Sequence, residues 1–337
     1  GIGLWVSLLL KSSFALVGLS AYLLVVVNTP AIDLKYVSIL FLVGIMLLNI
    51  IGVKKVGKAQ LIIVIASILS LIALTFVALP QVDTNTLKPF LSDGNMGFVS
   101  AIAFVYVAFA GVTKIAAIAE EVKNPDKNLP KAMIISLAII TAIYIIICYV
   151  LSGNISFHEL STDIKPIYTL AYKLGGETIA YIIGIIGVIT LISLANSGVL
   201  ASSRFPFAMS RDKLLPTSLS KVHPKYLTPV NTILLTSLIM GLVIVFLDVE
   251  KIAKLASAFK VSMFILVNLS VIILRETSVQ WYNPSYKSPL YPYMQIFGII
   301  TGVVLLFYLG LMPVLTLLGI FILGTIIYFN YGVKASR

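Results

Sequence analysis

The stretch VAFAGVTKIAAIAEEVKNP, which runs from Val107 to Pro125, decides the fold. It begins as an apolar membrane helix and ends as a charged loop, and Gly111, Thr113 and Lys114 lie between the two parts. A helix bathed in lipid favours apolar side chains, because the bilayer core offers no water to a polar group. The change of pattern therefore indicates that this segment faces protein or a water-filled cavity.

The rest of the chain is equally apolar. Hydrophobic residues make up 59% of the 337 residues and charged residues only 11%, with a mean hydropathy of +1.06. A soluble domain has about a quarter charged residues, so the composition predicts a polytopic membrane protein. The net charge of +11 is expected in cytoplasmic loops and does not indicate nucleic-acid binding.

The residues that catalysis or metal binding would need are sparse. The one cysteine, Cys148, lies in an apolar run, so we predict no intrachain disulfide and find no support for a disulfide-linked partner subunit. No nucleophile set, paired carboxylates or metal ligands converge in the apolar segments. The sequence therefore disfavours an enzyme and predicts no metal and no cofactor.

Ten apolar segments are long enough to be membrane spans, since a helical span needs roughly 20 residues. They cover about residues 4–27, 36–51, 60–79, 96–118, 131–151, 177–200, 229–247, 255–274, 290–309 and 312–331. No soluble domain fits between them, so we expect one transmembrane domain over 1–337. The chain begins without a methionine and enters an apolar run almost at once, which leads us to expect a preceding segment.

Basic residues in the loops set the expected orientation. With a cytoplasmic N-terminus, inside segments hold fifteen of the 24 basic residues, outside segments hold six and the spans hold three. We therefore expect both termini to be cytoplasmic.

Gly111 lies near the middle of the fourth span and has two interpretations. Glycine weakens a helix, and an opened helix exposes N–H and C=O groups that bind carboxylates and cations. Alternatively, the glycine and Ala110 allow close helix packing.

Three lysines, Lys11, Lys114 and Lys260, lie within spans, where an ionisable side chain costs a few kcal/mol on insertion scales. Lys114 follows Gly111 by about one turn and either has a role in the protein interior or extends its ammonium to the cytoplasmic interface. Lys260, in the segment ASAFKVSMF, either pairs inside the protein or reaches the outer surface.

Two further polar groups have functional and structural interpretations. In the sixth span, Ser193 and Asn196 begin a flank of small and hydroxyl residues, which either lines an ion or water path or allows close packing. After the fourth span, Glu120 and Glu121 form either a cytoplasmic gate with a basic partner such as Arg204, or an ordinary solvated loop.

The segment AFAGVTKIAAIAEEVKNPDKNLPKAM resembles the amino acid–polyamine–organocation permeases, whose corresponding helix reads like G-F-E-A-x-A-x-x-A-E-E-x-x-N-P-x-x-N-I-P-x-A. The matching residues are Ala119, Glu120, Glu121, Asn124, Pro125, Asn128, Pro130 and Ala132. Other family-like segments are NIIGVKKVGKAQ, LASSRFPFAMSRDKLLP, LVNLSVIILRE and YKSPLYPYMQIFGI. The resemblance extends over essentially the whole chain.

This resemblance implies an all-α, LeuT-type fold of twelve spans, of which the first ten form two inverted five-helix repeats. The chain begins at what looks like the third family helix, so ten of twelve spans are expected here. The family's sixth helix is interrupted at the segment occupied by Phe109, Ala110 and Gly111. Their backbone would contact the substrate, and Val112 and Thr113 would shape the pocket.

The chain departs from the family pattern after the glycine. Relatives often carry Phe, Glu and Ala where this sequence has Val112, Thr113 and Lys114. Some proton-coupled relatives have a lysine midway along the fifth helix, where Ser67 is aligned. Lys114 and Ser67 are therefore candidates for a charge or coupling role, and the coupling ion, H+ or Na+, stays open.

The resemblance implies a secondary transporter in the plasma membrane that moves an amino acid or related amine by alternating access, through symport or exchange. The alternative is an amino-acid sensor or partner subunit on the same scaffold. A membrane-embedded enzyme is a third and weaker hypothesis.

Overall fold

In the computed structural model the chain is α-helical, and the described residues contain no β-strand. The described residues are 1–29, 32–52, 57–88, 91, 94–109, 111, 122–277, 280–284 and 286–332. The α-helices are α1 Ile2–Val26, α2 Leu34–Ile51, α3 Gly57–Ala78, α4 Gly94–Val105, α5 Pro125–Asn154, α6 Phe157–Thr162, α7 Pro166–Arg211, α8 Val230–Phe246, α9 Val249–Glu276, α10 Tyr293–Tyr308 and α11 Leu311–Ile327.

Local sequence explains where several helices begin and end. Asp33 precedes α2, and its carboxylate accepts the Lys35 backbone N–H at 2.9 Å, which satisfies a donor that the helix start leaves free. Gly52 ends the same helix with a φ of 78°, a left-handed conformation that glycine adopts without steric cost. Gly310, with a φ of 98°, lies in the turn between α10 and α11.

The helices confirm an all-α polytopic membrane protein. Among the described residues, seven helices are long and apolar enough to cross a membrane, and three shorter apolar helices occur at Gly94–Phe109, Val230–Phe246 and Tyr293–Tyr308. Each of the ten predicted spans overlaps one of these helices.

Two predicted spans differ in extent from the observed helices. The fourth span was expected over 96–118; α4 ends at Val105, and the predicted end at 118 lies outside the described residues. The sixth was expected over 177–200, whereas α7 starts at Pro166, is non-helical at Gly176 and continues to Arg211. Beyond residue 200, the buried Ser202 and Ser203 donate to carbonyls of their own helix, as Ser202 Oγ does to Gly198 at 2.7 Å.

The chain divides into two compact units, and the first comprises Gly1–Phe90, Ile146–Ala253 and Ile320–Arg337. In it α1 packs against α7, α2 and α8. A second group of helices, α3, the end of α5 and the start of α7, meets in an apolar cluster. Its buried members are Leu74, Ala78, Val150, Ile155, Leu170, Ala171 and Ala180.

The contact between α1 and α7 is closest at Gly198. A Cβ added to this glycine would lie 1.9 Å from Ser12 Oγ and 2.8 Å from Ser12 Cβ. Both distances are shorter than any relaxed contact, so only a residue without a side chain fits this crossing. Small residues allow such close helix approach in membranes.

The second unit comprises Leu91–Ile145 and Lys254–Gly319. It contains α4, most of α5 and α9, α10, and the first part of α11. Its apolar core joins α4, α9 and α10. The buried residues of that core are Ala103, Ala258, Val261, Leu305 and Leu309.

Candidate functional site

Helix α4 ends inside the predicted fourth span, in the second unit. Its last residue is Val105, and residues 106–109 continue as a 3-10 turn. The last carbonyls of a helix and the first N–H groups after it lack intrahelical partners. We call residues 104–109 and 111 the interruption. It lies within the apolar segment that the sequence predicted to be a single span.

A serine from another helix binds both sides of this interruption. Ser257 of α9 donates its hydroxyl proton to the Phe104 carbonyl oxygen at 2.7 Å, and the Val107 backbone N–H donates to Ser257 Oγ at 3.0 Å. In a continuous α-helix these two backbone groups would bond to residues 108 and 103. One side chain therefore takes over two backbone hydrogen bonds of the helix.

Two aromatic contacts also hold the interruption. The Phe109 ring meets the Tyr144 ring of α5 edge to face, with centroids 5.3 Å apart. The Tyr106 ring meets the Phe264 ring of α9 in the same way at 5.7 Å. Phe109 and Gly111 are both half-buried. Helix α5 thus contacts the segment through the Phe109 ring, and α9 contacts it through the Tyr106 ring.

Lys260 lies on α9, three residues after Ser257. It is 3% exposed, and its ammonium nitrogen lies 5.0 Å from the centroid of the Phe264 ring. Because Phe264 contacts Tyr106, this buried lysine lies close to the interruption. The structure therefore places Lys260 in the interior of the second unit, and not at the outer surface that the sequence left as an alternative.

The structure describes only part of the predicted substrate site. Phe109 and Gly111 lie at the interruption as expected. Ala110, Val112, Thr113 and Lys114 fall outside the described residues, as do Glu120 and Glu121. Arg204, the candidate partner of these glutamates, is exposed on α7.

The other predicted polar residues lie in the first unit, where they join helices in pairs. Ser67 Oγ of α3 is 2.6 Å from Thr190 Oγ1 of α7. Asn49 of α2 donates its side-chain amide to Asn196 Oδ1 of α7 at 2.8 Å. Ser193 is half-buried one turn before Asn196 on the same helix. Of the predicted residues Ser67, Ser193 and Asn196, Ser67 and Asn196 therefore make hydrogen bonds between helices.

Sequence reasoning missed Ser257 and Tyr144, the two residues that complete the interruption. The segment ASAFKVSMF drew attention to Lys260, but a lone serine in an apolar helix is an unspecific signal. Tyr144 lies in an apolar run that also contains Tyr149. In both cases the partner lies far away in sequence, so no local pattern indicates it.

The arrangement offers main-chain groups inside an apolar segment. Backbone N–H and C=O groups at the end of a helix can bind a carboxylate, an amino group or a cation of a small ligand, because helix ends carry partial charges. Such groups bind without transferring electrons or breaking covalent bonds. The chemistry that this geometry supports is recognition of a small zwitterion.

Comparisons with known proteins identify a family of membrane transporters. The model of a family described as amino acid permease matches residues 1–330. The branched-chain amino acid permease of Bacillus subtilis (strain 168) is 32% identical over 286 residues, which cover 85% of this chain and 61% of the relative.

Two more transporters of the same bacterium are similar to the chain. The methylthioribose transporter is 30% identical over 289 residues, covering 85% of this chain and 61% of its own length. The serine/threonine exchanger is 29% identical over 271 residues, which cover 79% of this chain and 61% of the exchanger. The chain thus spans about three fifths of the length of these curated relatives.

Proposed function

The chain belongs to the amino acid permease family, and we propose that it forms the transmembrane domain, over 1–337, of a secondary active transporter. This protein moves an amino acid or related amine across the plasma membrane by alternating access, with both termini in the cytoplasm. It works as a symporter or an exchanger.

One observation carries this proposal. Helix α4 stops inside an apolar span, and a buried serine from α9 replaces its lost hydrogen bonds. Irregular backbone at membrane depth is tolerated only where protein or a water-filled cavity surrounds it. Transporters use such breaks to bind substrate near the middle of the bilayer.

In this proposal the substrate binds at the interruption. The backbone of Phe109, Ala110 and Gly111 contacts its amino and carboxylate groups, and Val112 and Thr113 shape the pocket for its side chain. Phe109 supports this assignment, because its half-buried ring is held by Tyr144 at the edge of the interruption.

Other residues take part in coupling and gating. Lys114 and Ser67 contribute to charge balance or ion coupling, with H+ or Na+ as the coupling ion, and Ser193 and Asn196 line an ion or water path. On the cytoplasmic side, Glu120 and Glu121 act with Arg204 as a gate. The hydrogen bond between Asn49 and Asn196 is a polar contact between α2 and α7, and it supports the placement of Asn196 on this path.

Uptake into liposomes tests the proposal. We expect the purified complete protein to accumulate at least one labelled amino acid when a proton or sodium gradient is imposed. The relatives suggest a first panel of branched-chain amino acids, serine, threonine and methylthioribose. No uptake of any amino acid or amine under either gradient would reject transport, and binding without uptake would favour the sensor.

Lys114→Ala is expected to change substrate preference or the dependence on the coupling ion by about tenfold, with normal expression. A charge kept inside a span at a cost of a few kcal/mol is usually functional. Lys123→Ala, which removes an exposed lysine after the same span, is the matched control. Unchanged kinetics in Lys114→Ala would assign this side chain to the membrane interface instead.

A further inference from the structure

We propose that Ser257 is a positioning residue, which holds the interruption of α4 open so that its backbone groups face the substrate. This inference rests on the proposed transport function. It assigns a role in transport to a side chain of α9 that is about 150 residues from the groups it binds.

The two hydrogen bonds use different parts of one hydroxyl group. A serine hydroxyl has one proton to donate and two lone pairs to accept with. Ser257 donates to Phe104 at 2.7 Å and accepts from Val107 at 3.0 Å. Both bonds therefore form at the same time, and the backbone between Phe104 and Val107 cannot return to α-helical pairing without losing them.

Other serines of α9 behave in the way that is usual inside helices, where the hydroxyl bonds to a carbonyl of its own helix. Ser262 donates to Ala258 at 2.8 Å, and Ser270 donates to Leu266 at 2.7 Å. The hydroxyl of Ser257 donates instead to another helix. This difference indicates a specific role for Ser257 beyond that of a small residue in an apolar helix.

Burial makes the contact hard to replace. Ser257 is 0% exposed, and both of its bonds to the backbone are partly buried. The neighbouring Ala258 and Val261 pack against Ala103 of α4, which keeps the two helices together. A backbone N–H or C=O buried without a partner is costly, and the segment is expected to rearrange.

The role predicts a specific kinetic signature. Ser257 bonds to the Phe104 carbonyl and the Val107 N–H, which lie just before the backbone of Phe109, Ala110 and Gly111 that would bind the amino and carboxylate groups of the substrate. Every amino acid carries these two groups. Loss of the hydroxyl should therefore weaken all amino acid substrates by the same factor. A residue that shapes the pocket for the substrate side chain, such as Val112, should instead change the preference among substrates.

The test compares uptake by Ser257→Ala, Ser257→Cys and Ser257→Thr with uptake by the unmodified complete protein in liposomes. For Ser257→Ala we expect KM to rise about tenfold, because a lost hydrogen bond to a partly buried backbone group is worth a factor of about ten. The factor should be equal for a small, a branched and a hydroxyl-bearing amino acid. Ser257→Thr should restore most of the affinity, and Ser257→Cys should be intermediate.

Two measurements separate positioning from a merely structural role. Hydrogen exchange of the Val107 amide should be faster in Ser257→Ala and Ser257→Cys. Ser270→Ala, which removes a hydroxyl bonded within its own helix, should leave KM and this exchange unchanged. If Ser257→Ala does not fold, Ser257→Cys, which keeps nearly the same volume, carries the comparison.

Some results would overturn the inference. An unchanged KM in both Ser257→Ala and Ser257→Cys would do so, as would a change confined to one substrate, or a lower melting temperature with unaltered KM. If the unmodified protein takes up no amino acid, the proposed function fails. Exchange at Val107 then still shows whether Ser257 holds the interruption.

Discussion

Gly198→Leu is expected to abolish accumulation of folded protein. A leucine side chain at this position of α7 would start with a Cβ 1.9 Å from Ser12 Oγ and 2.8 Å from Ser12 Cβ on α1. Ser12 is itself buried, so neither side chain has space to move away. Overpacking a filled core typically costs about 1–3 kcal/mol, and more where backbones must separate.

Size-exclusion chromatography of detergent extracts and thermal melting measure this effect. Gly44→Leu is the matched control, because nothing lies within 4 Å of a Cβ added at this exposed glycine of α2. Gly198→Ala should lower yield and melting temperature less than Gly198→Leu does. Adding Ser12→Gly to Gly198→Ala should restore both. Normal yield and melting of Gly198→Leu would show that the contact between α1 and α7 is not needed for folding.

Lys260→Met is expected to lower uptake at least about tenfold, because an ionisable side chain inside a span is usually functional. The lysine is 3% exposed, and its ammonium nitrogen lies 5.0 Å from the centroid of the Phe264 ring, which supports Tyr106 of the interruption. Loss of the charge is therefore expected to affect the segment that is proposed to bind substrate.

Uptake and melting measured on the same preparations distinguish function from structure at this position. Lys260→Arg keeps the positive charge and should retain more uptake than Lys260→Met. Lys254→Met, one and a half turns earlier on α9, controls for loss of a lysine from this helix. A lower melting temperature of Lys260→Met together with full uptake would mean that the lysine is structural.

Much of the fold could be predicted from the sequence, because each helix depends on an unbroken apolar segment of its own. For the fourth span the residues alone left two interpretations of Gly111, and only the family resemblance placed a break at Phe109, Ala110 and Gly111. Helix α7 continues eleven residues beyond the predicted end of the sixth span, because polar residues such as Ser202 and Arg204 lower hydropathy without ending a helix.

Only some residues of the candidate site could be predicted from the sequence. Phe109 and Gly111 were identified from the segment that contains them, and both lie at the interruption. Tyr144 and Ser257 were not identified, because their importance comes from contacts with a different helix. Lys260 was noticed as an ionisable residue in a span, but its direction stayed open until packing placed it in the interior.

The sequence by itself determined that this is a helical membrane protein, and it predicted ten apolar spans. These properties follow from the local hydropathy and backbone preferences of neighbouring residues. Only the tertiary structure decided what completes the break. Ser257 lies 150 residues from Val107, and hydrogen bonds over such a separation depend on how helices pack, which local sequence patterns do not encode.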